Sequence, residues 1–310
     1  MEFIRGIHNI KPEHRGTVLT IGNFDGVHRG HRAVIEGAIT QAKALGASAT
    51  VMLFEPQPME LFLKDKAPAR LYRLRDKYLQ LARLGVDRLL CVKFDHRFAS
   101  MEAMDFIEHL LVGKLAISHL IVGDDFCFGK NRKGDFAMLV EAGERFGFKV
   151  TNTKSYRVEN CRISSTAIRQ ALVDGAFSEA KAMLGHPFSI NGTVTHGDKK
   201  GRTIGFPTAN VALNRIVTPV RGVYVVSVTT AVGEYNGVAN IGKRPTVKGT
   251  VQQLEVHLFD FERQIYGQHI DVVLHHKLRD EQKFDSLEAL KAQIALDVRQ
   301  AKTYFEAHST

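Results

Sequence analysis

Two histidines three residues apart, His28 and His31, stand where an apolar run ends and a helical pattern begins, in Gly22-Asn23-Phe24-Asp25-Gly26-Val27-His28-Arg29-Gly30-His31. Imidazoles placed there can donate towards the same phosphate oxygens, and Gly26 and Gly30 let backbone approach a ligand closely. A second phosphate-directed set is Ile163-Ser164-Ser165-Thr166-Ala167-Ile168-Arg169. Ser164 or Ser165 can cap a helix running through Ala171 and Leu172 towards Gly175, and the three hydroxyls with the Arg169 guanidinium suit phosphate oxygens. Taken singly, the histidines fit ordinary surface and core positions and Ser-Ser-Thr fits plain capping. Two such motifs on one sheet point to a polyphosphate.

The second half offers different chemistry. Thr208 and Asn210 stand two apart after Pro207, which in an extended segment turns both side chains to one side. Their oxygens suit a Mg²⁺ that keeps most of its waters and sits beside nucleotide phosphates. Upstream, residues 197–205 are rich in glycine and cations, Gly197, Lys199, Gly201, Thr203 and Gly205 among them, and suit wrapping a polyphosphate. Their spacing is not that of a P-loop, and a Lys/Gly-rich surface hairpin fits the same pattern. In Leu254-Glu255-Val256-His257-Leu258, strand alternation puts Glu255 and His257 on one face and the three apolar residues on the other. By pattern alone that carboxylate either faces solvent or serves as a base.

These groups need a scaffold. From residue 17 to residue 184, short β-rich runs at 17–21, 49–54, 89–92 and 119–122 alternate with helical stretches, the form of a parallel sheet wrapped by helices. The spacing predicts a helix over 29–45, with Ala33, Ile35, Ala38, Ile39, Ala42 and Leu45 on one stripe and Gly46 as its C-cap. His28 and His31 then fall at a strand-to-helix loop, where helix amides and dipole favour phosphate. After Leu184, glycines punctuate Val/Thr/Tyr-rich runs such as 223–230 and 253–259, which read as a small antiparallel β-barrel. A long helix closes the chain, with Ser286 as N-cap and Leu287, Leu290, Ile294 and Val298 on one face. The Gly185-His186-Pro187 turn marks the expected boundary between domains 1–184 and 185–310. One polyphosphate cradle is thus expected at helix starts above the sheet and another in the barrel mouth.

Composition narrows the partners. With 310 residues, 44% hydrophobic and 24% charged, the chain matches ordinary globular proteins and excludes a disordered or collagen-like one. The balance of 42 Lys+Arg against 33 Asp+Glu, a net +9, suits anionic partners. Basic residues are scattered, without a run of five or an aromatic RNA-binding signature, so a phosphate-rich small ligand fits better than nucleic acid. No stretch approaches the roughly 20 apolar residues of a membrane span, and residues 1–5 lack the order of a secretory signal, so a cytoplasmic protein without membrane partners is expected. Cys91, Cys127 and Cys161 lack metal-site spacing and read as reduced thiols. Oligomeric state is left open.

The segment 22–31 with 163–169 resembles the HxGH nucleotidylyltransferase superfamily. Asn23-Phe24-Asp25-Gly26-Val27-His28 with Val122-Gly123-Asp124-Asp125-Phe126-Cys127-Phe128-Gly129-Lys130 resembles its FAD synthetase branch, and Gly201-Arg202-Thr203-Ile204-Gly205-Phe206-Pro207-Thr208-Ala209-Asn210 resembles the riboflavin kinase signature. The order is that of the bacterial bifunctional riboflavin kinase/FAD synthetase family. The resemblance implies a Rossmann-like α/β domain followed by a flavokinase barrel, with ATP, riboflavin and FMN as substrates and Mg²⁺ as cofactor. It implies an ATP site at Gly22, Phe24, Asp25, Gly26, His28, His31, Ser164, Ser165, Thr166 and Arg169. FMN would meet Phe62, Asp125 and Phe128, although both phenylalanines fit the core equally well. In the barrel it implies ATP and metal at Thr208 and Asn210, Glu255 as catalytic base, and Arg279 near flavin or phosphate. Gln57 stands where the family more often has His, and Glu262-Arg263-Gln264-Ile265 depart from its usual residues before Tyr266-Gly267. A competing expectation is a nucleotidylyltransferase for another substrate, with the barrel as a binding appendage.

Overall fold

The computed structural model describes residues 1–123, 125–153, 157–158, 161–196, 205–213, 217–246 and 249–308, with backbone alone at 157–158, 161–162, 243–246 and 249–251. The chain divides into two compact units, residues 1–68 with 72–165, and residues 69–71 with 166–310. Packing therefore parts the chain ahead of the Gly185 turn.

The first unit is built on six parallel strands: β1 (Glu2–Arg5), β2 (Val18–Ile21), β3 (Ala49–Glu55), β4 (Arg88–Lys93), β5 (His119–Gly123) and β6 (Lys149–Thr153), in the order β1-β4-β3-β2-β5-β6. Side chains alternate between two apolar layers. Val18, Val51, Leu53, Leu89 and Ile121 face one core, and Leu19, Ile21, Met52, Leu90 and Leu120 face the other. Both faces being covered explains why the strands read as continuous apolar runs. The helices are α1 (Arg29–Leu45), α2 (Pro58–Leu63), α3 (Leu74–Arg83), α4 (His96–Ala99), α5 (Ala103–Asp105, continued by a π-helical stretch Phe106–Lys114) and α6 (Phe136–Phe146). Helix α1 has the expected bounds and ends on Gly46 at φ 61°. Its buried stripe is Ile35, Ala38, Ile39 and Ala42, while Ala33 and Leu45 are exposed. Because the chain steps outward from β2 on one side and then crosses to β5 on the other, the order reverses between them. A crevice at the C-terminal ends of such strands is where this architecture takes ligands.

A two-stranded ribbon, β7 (Arg157–Val158) and β8 (Cys161–Arg162), precedes α7 (Ser165–Val173). The second unit continues with α8 (Phe177–Leu184), whose Phe177 ring meets Tyr224 edge-on at 5.8 Å. Strands β9 (Ser189–Thr195), β10 (Ala209–Ala212), β11 (Gly222–Thr230), β12 (Gly233–Thr246), β13 (Gly249–Leu258) and β14 (His269–Arg279) close an antiparallel barrel in the order β10-β13-β12-β11-β14-β9. Val211, Tyr224, Val226, Ala239, Leu254, Val256 and Val272 are buried on the inside. Helix α9 (Leu287–His308) is capped as expected, the Ala289 amide donating to Ser286 Oγ at 3.1 Å. Of its expected face, Leu290, Ile294 and Val298 are half-buried and Leu287 is 58% exposed. Val298, Ala301, Tyr304 and Phe305 cover Val223, Val225 and Val238 on the outer wall. Asp297, which a pattern of apolar residues passes over, is 2% exposed and lies on that face.

Candidate active sites

The loop after β2 leaves ordinary backbone geometry at two non-glycine residues, Phe24 at φ 46° and Val27 at φ 41°, with Gly26 at 86° between them. Such conformations cost about 1–3 kcal/mol each and persist where the surroundings fix them. Here they do. Asp25 is buried and its Oδ1 accepts from the Tyr72 amide at 2.9 Å, while its carbonyl accepts from Ser165 Oγ at 2.9 Å. Below, the 1% exposed Lys77 donates from Nζ to the Asn23 carbonyl at 2.8 Å. A Cβ at Gly22 would come within 3.2 Å of the buried Phe24 ring.

His28 caps α1, its Nδ1 accepting from the His31 amide at 3.2 Å. With Nδ1 an acceptor, the ring's other nitrogen, Nε2, is the one that carries a proton. The two imidazoles stack, centroids 3.5 Å apart, and Phe24 meets His31 edge-on at 5.3 Å. Burial, then the neighbouring His28 and Lys77, hold His31 well below the ordinary imidazole pKa, so it is neutral at pH 7. The remaining first-turn amides, those of Arg29 and Gly30, have no partner within the helix. The structure thus gathers Gly22, Phe24, Asp25, Gly26, His28, His31 and Ser165 at one place. Ser164 immediately precedes α7. Thr166 and Arg169 continue that helix and pack in the second unit, where Arg169 Nε donates to the Ala69 carbonyl.

Phe62, on α2, is 58% exposed, and Asp125 is exposed beyond the C-terminal end of β5. Phe128, 7% exposed, is a core residue between Phe106 and Phe126, with centroids at 5.4 and 5.7 Å. Phe62 and Phe128 are not neighbours, yet one seam of rings joins them: Phe62 meets Phe94, Phe94 meets Phe98, Phe98 meets Phe106, and Phe106 meets Phe128. Phe94 follows β4 and Phe126 follows β5, so the half-buried rings of the seam lie beyond the strands' C-terminal ends.

On the barrel, Asn210 of β10 lies directly opposite Glu255 of β13. Opposed residues of antiparallel strands share a face. That face is the outer wall, because Leu254 and Val256 turn inward. Asn210 and Glu255 therefore stand on the wall rather than in the barrel mouth expected above. Asn210 is buried, its Oδ1 accepting from Gln253 Nε2 and its Nδ2 donating to the Thr208 carbonyl at 3.5 Å. Thr208 itself lines a cleft of about 280 Å³ at the barrel's end, with Val194, Val256 and Leu258 and the turn from Phe261 to Tyr266. Tyr266 stacks on His196 at 4.1 Å. Gly197, Lys199, Gly201 and Thr203 lie outside the described residues; Gly205, exposed at φ 89°, is described. Arg279, expected near flavin or phosphate, is committed elsewhere: Nε and Nη2 grip the buried Asp297 of α9 at 3.0 and 2.8 Å, and Nη1 donates to the Asp280 carbonyl at 3.0 Å.

Residues 10–167 match the FAD synthetase family model and residues 184–305 the riboflavin kinase model. A bifunctional riboflavin kinase/FMN adenylyltransferase of Escherichia coli K12 is 56% identical over 98% of this chain and 98% of its own. One from Haemophilus influenzae is 51% identical over 99% of this chain and 100% of its own. The chain belongs to the bifunctional riboflavin kinase/FMN adenylyltransferase family. A crystal structure of a protein described as a macrolide-efflux protein from Streptococcus pneumoniae overlays with TM-score 0.80 at 32% identity, covering 96% of this chain and 97% of that one. That description concerns the neighbour. Among the described residues here, no helix is long and apolar enough to cross a membrane.

Membership of this family favours the two-activity expectation over a nucleotidylyltransferase with a passive appendage. Sequence reading missed Lys77 and Asp76, both buried on α3, and the aromatic partners Phe94 and Phe126. Lys77 left one trace, a charge one turn before Leu81 on the helix's apolar stripe.

Proposed function

We propose that residues 1–184 adenylylate FMN and residues 185–310 phosphorylate riboflavin, with the site residues acting as follows. The chain converts riboflavin and ATP to FMN and ADP, then FMN and a second ATP to FAD and pyrophosphate. Both steps draw on ATP, which sets them in the cytoplasm.

In adenylyl transfer the FMN phosphate is already ionised, so attack on the α-phosphorus needs no base. Catalysis falls to positioning and charge stabilisation. The His28 Nε2–H and the first-turn amides of α1 face the developing charge as pyrophosphate leaves. Neutral His31 supports them without adding a competing cation, and Ser164 serves the same triphosphate. Phe62 and the rings joined to it offer the flavin a stacking face, with Asp125 as a polar partner.

In phosphoryl transfer the nucleophile is the riboflavin 5′-hydroxyl, which must lose a proton. Glu255 accepts it while the oxygen attacks the γ-phosphorus and ADP departs. The cleft beside Thr208 takes the nucleotide. The Thr208 hydroxyl and the Asn210 carboxamide oxygen are neutral hard donors next to a carboxylate, a set that fits Mg²⁺ and would hold it with help from the phosphates. When bound, the ion neutralises phosphate charge. The observation that supports this reading is the direct pairing of Asn210 with Glu255, a carboxamide and a carboxylate one strand apart.

The test is a time course: purified protein with riboflavin, ATP and Mg²⁺, the flavins separated by chromatography. FMN should appear first and FAD follow. An enzyme for another substrate forms neither.

A further inference from the structure

The outer wall of the barrel carries a polar atom that the reaction as described leaves unused. Asn240 on β12 pairs directly with Glu255 on β13, which pairs in turn with Asn210 on β10. The three side chains therefore stand on one face in a single row, with neighbouring Cβ atoms roughly 5 Å apart. Asn240 Oδ1 is buried and has no hydrogen-bond partner among the described residues. A carboxamide oxygen shielded from water without a donor costs free energy in the unliganded protein, so it calls for an explanation. Next along the row, Val223 opposite Asn240 is covered by α9, which closes the site on that side.

The absent partner has to be a hydrogen-bond donor. Phosphate oxygens at neutral pH are acceptors, and a carboxamide oxygen would repel them, so the ATP triphosphate is excluded. The other substrate carries what is needed. Its side chain bears secondary hydroxyls on the carbons leading to the 5′-hydroxyl. If the terminal hydroxyl meets Glu255, the preceding ones fall within reach of a group one strand away. We infer that Asn240 is a substrate-binding residue of the kinase step, its Oδ1 accepting a hydrogen bond from a secondary hydroxyl of the ribityl chain and so aiming the 5′-hydroxyl at Glu255. The inference rests on the assignment of the outer wall as the kinase site. A site that hydrogen-bonds a substrate hydroxyl discriminates against analogues lacking it, because its own polar group is then stranded.

The experiment crosses a protein change with a substrate change. Wild-type and Asn240→Leu proteins are assayed on riboflavin and on the analogue whose side chain is an unbranched hydroxypentyl, which keeps the terminal hydroxyl and lacks the secondary ones. Wild type should show a KM about tenfold higher for the analogue, a loss of about 1.4 kcal/mol. Asn240→Leu should raise the riboflavin KM about tenfold and distinguish the two acceptors little, with the KM for ATP and the Mg²⁺ requirement unchanged. An unchanged unfolding midpoint of the second unit reports an intact barrel, and Asn240→Ala provides a second variant should leucine fit poorly. Equal discrimination by wild type and both variants overturns the inference, as does a shift confined to ATP or Mg²⁺. Glu255→Gln separates the underlying assignment: if it still makes FMN, the wall is not the kinase site, whereas if it does not and Asn240→Leu behaves as wild type, only the role of Asn240 fails.

Discussion

Above the sheet, the groups proposed to face ATP ride on a loop that departs from regular backbone at Phe24 and Val27 and is held by Lys77, Tyr72 and Ser165. On the barrel, they ride on straight strands whose register alone sets Asn210 beside Glu255. The difference follows the two nucleophiles. A phosphate that is already charged needs donors and amides converging on one point, which a strained loop feeding a helix supplies. A hydroxyl needs a base at a fixed distance from the phosphate-binding groups, and adjacent strands deliver that spacing without distortion. The loop site therefore depends on what lies beneath it, whereas the strand site depends on the barrel staying closed.

The contrast breaks most sharply at Glu255. Replacing it with Gln keeps the size and removes the proposed base, so FMN formation should fall by about 10²–10⁴ while adenylylation of supplied FMN continues. Next comes His31→Ala, which should cut adenylylation by about 10²–10³, the range for losing a preorganised site group, and leave FMN formation in place. Separate assays of the two reactions check both. If either substitution abolished both activities in folded protein, the two sites would not be independent.

A third test concerns what holds the barrel. Arg279 grips Asp297 through two nitrogens, and Gln293 Nε2 also donates to Asp297 at 2.9 Å. Asp297→Ala strands a largely buried guanidinium and should destabilise the second unit by about 3 kcal/mol, read from denaturant unfolding. At temperatures where the protein stays folded, the KM values for ATP and riboflavin should hold. A changed KM with unchanged stability would restore Arg279 to the phosphate or flavin site.

The sheet was legible because both of its faces are buried: β2, β3, β4 and β5 are unbroken apolar runs ending in loops, and α1 carries its own cap at each end. Glu255 was legible as a face, since Leu254 and Val256 fix the alternation. Its neighbour was not, because pairing with Asn210 and Asn240 depends on long-range register that no local pattern encodes. On α9 the apolar stripe was legible but Asp297 within it was not, for a related reason: a buried Asp297 makes sense only with Arg279 opposite it, 18 residues away. Phe128 shows the limit of reading aromatics singly, since its ring is interior and the exposed end of its seam is Phe62. Lys77 escaped because a lysine on an amphipathic helix reads as solvent-facing until the Asn23 carbonyl is found above it.

The smallest expected effect concerns protons. His31 is held neutral by burial and by His28 and Lys77, so its folded pKa lies well below the usual 6.5. The unfolded chain takes up a proton there below about pH 6.5, and the folded chain does not until much lower pH. The stability that neutral His31 allows is fully present above the unfolded pKa and is lost as pH falls from there towards the folded value, by at most about 1.4 kcal/mol per pH unit. Substituting His31→Gln removes the titrating group, so its unfolding midpoint should fall less steeply between pH 6.5 and 5 than that of wild type. The matching substitution Asn240→Leu on the barrel wall changes no titrating group and should leave the slope unaltered. Parallel slopes for wild type and His31→Gln would mean that the imidazole is protonated in the folded loop, and the charge-free support it is assigned beside ATP would then have to come from another group.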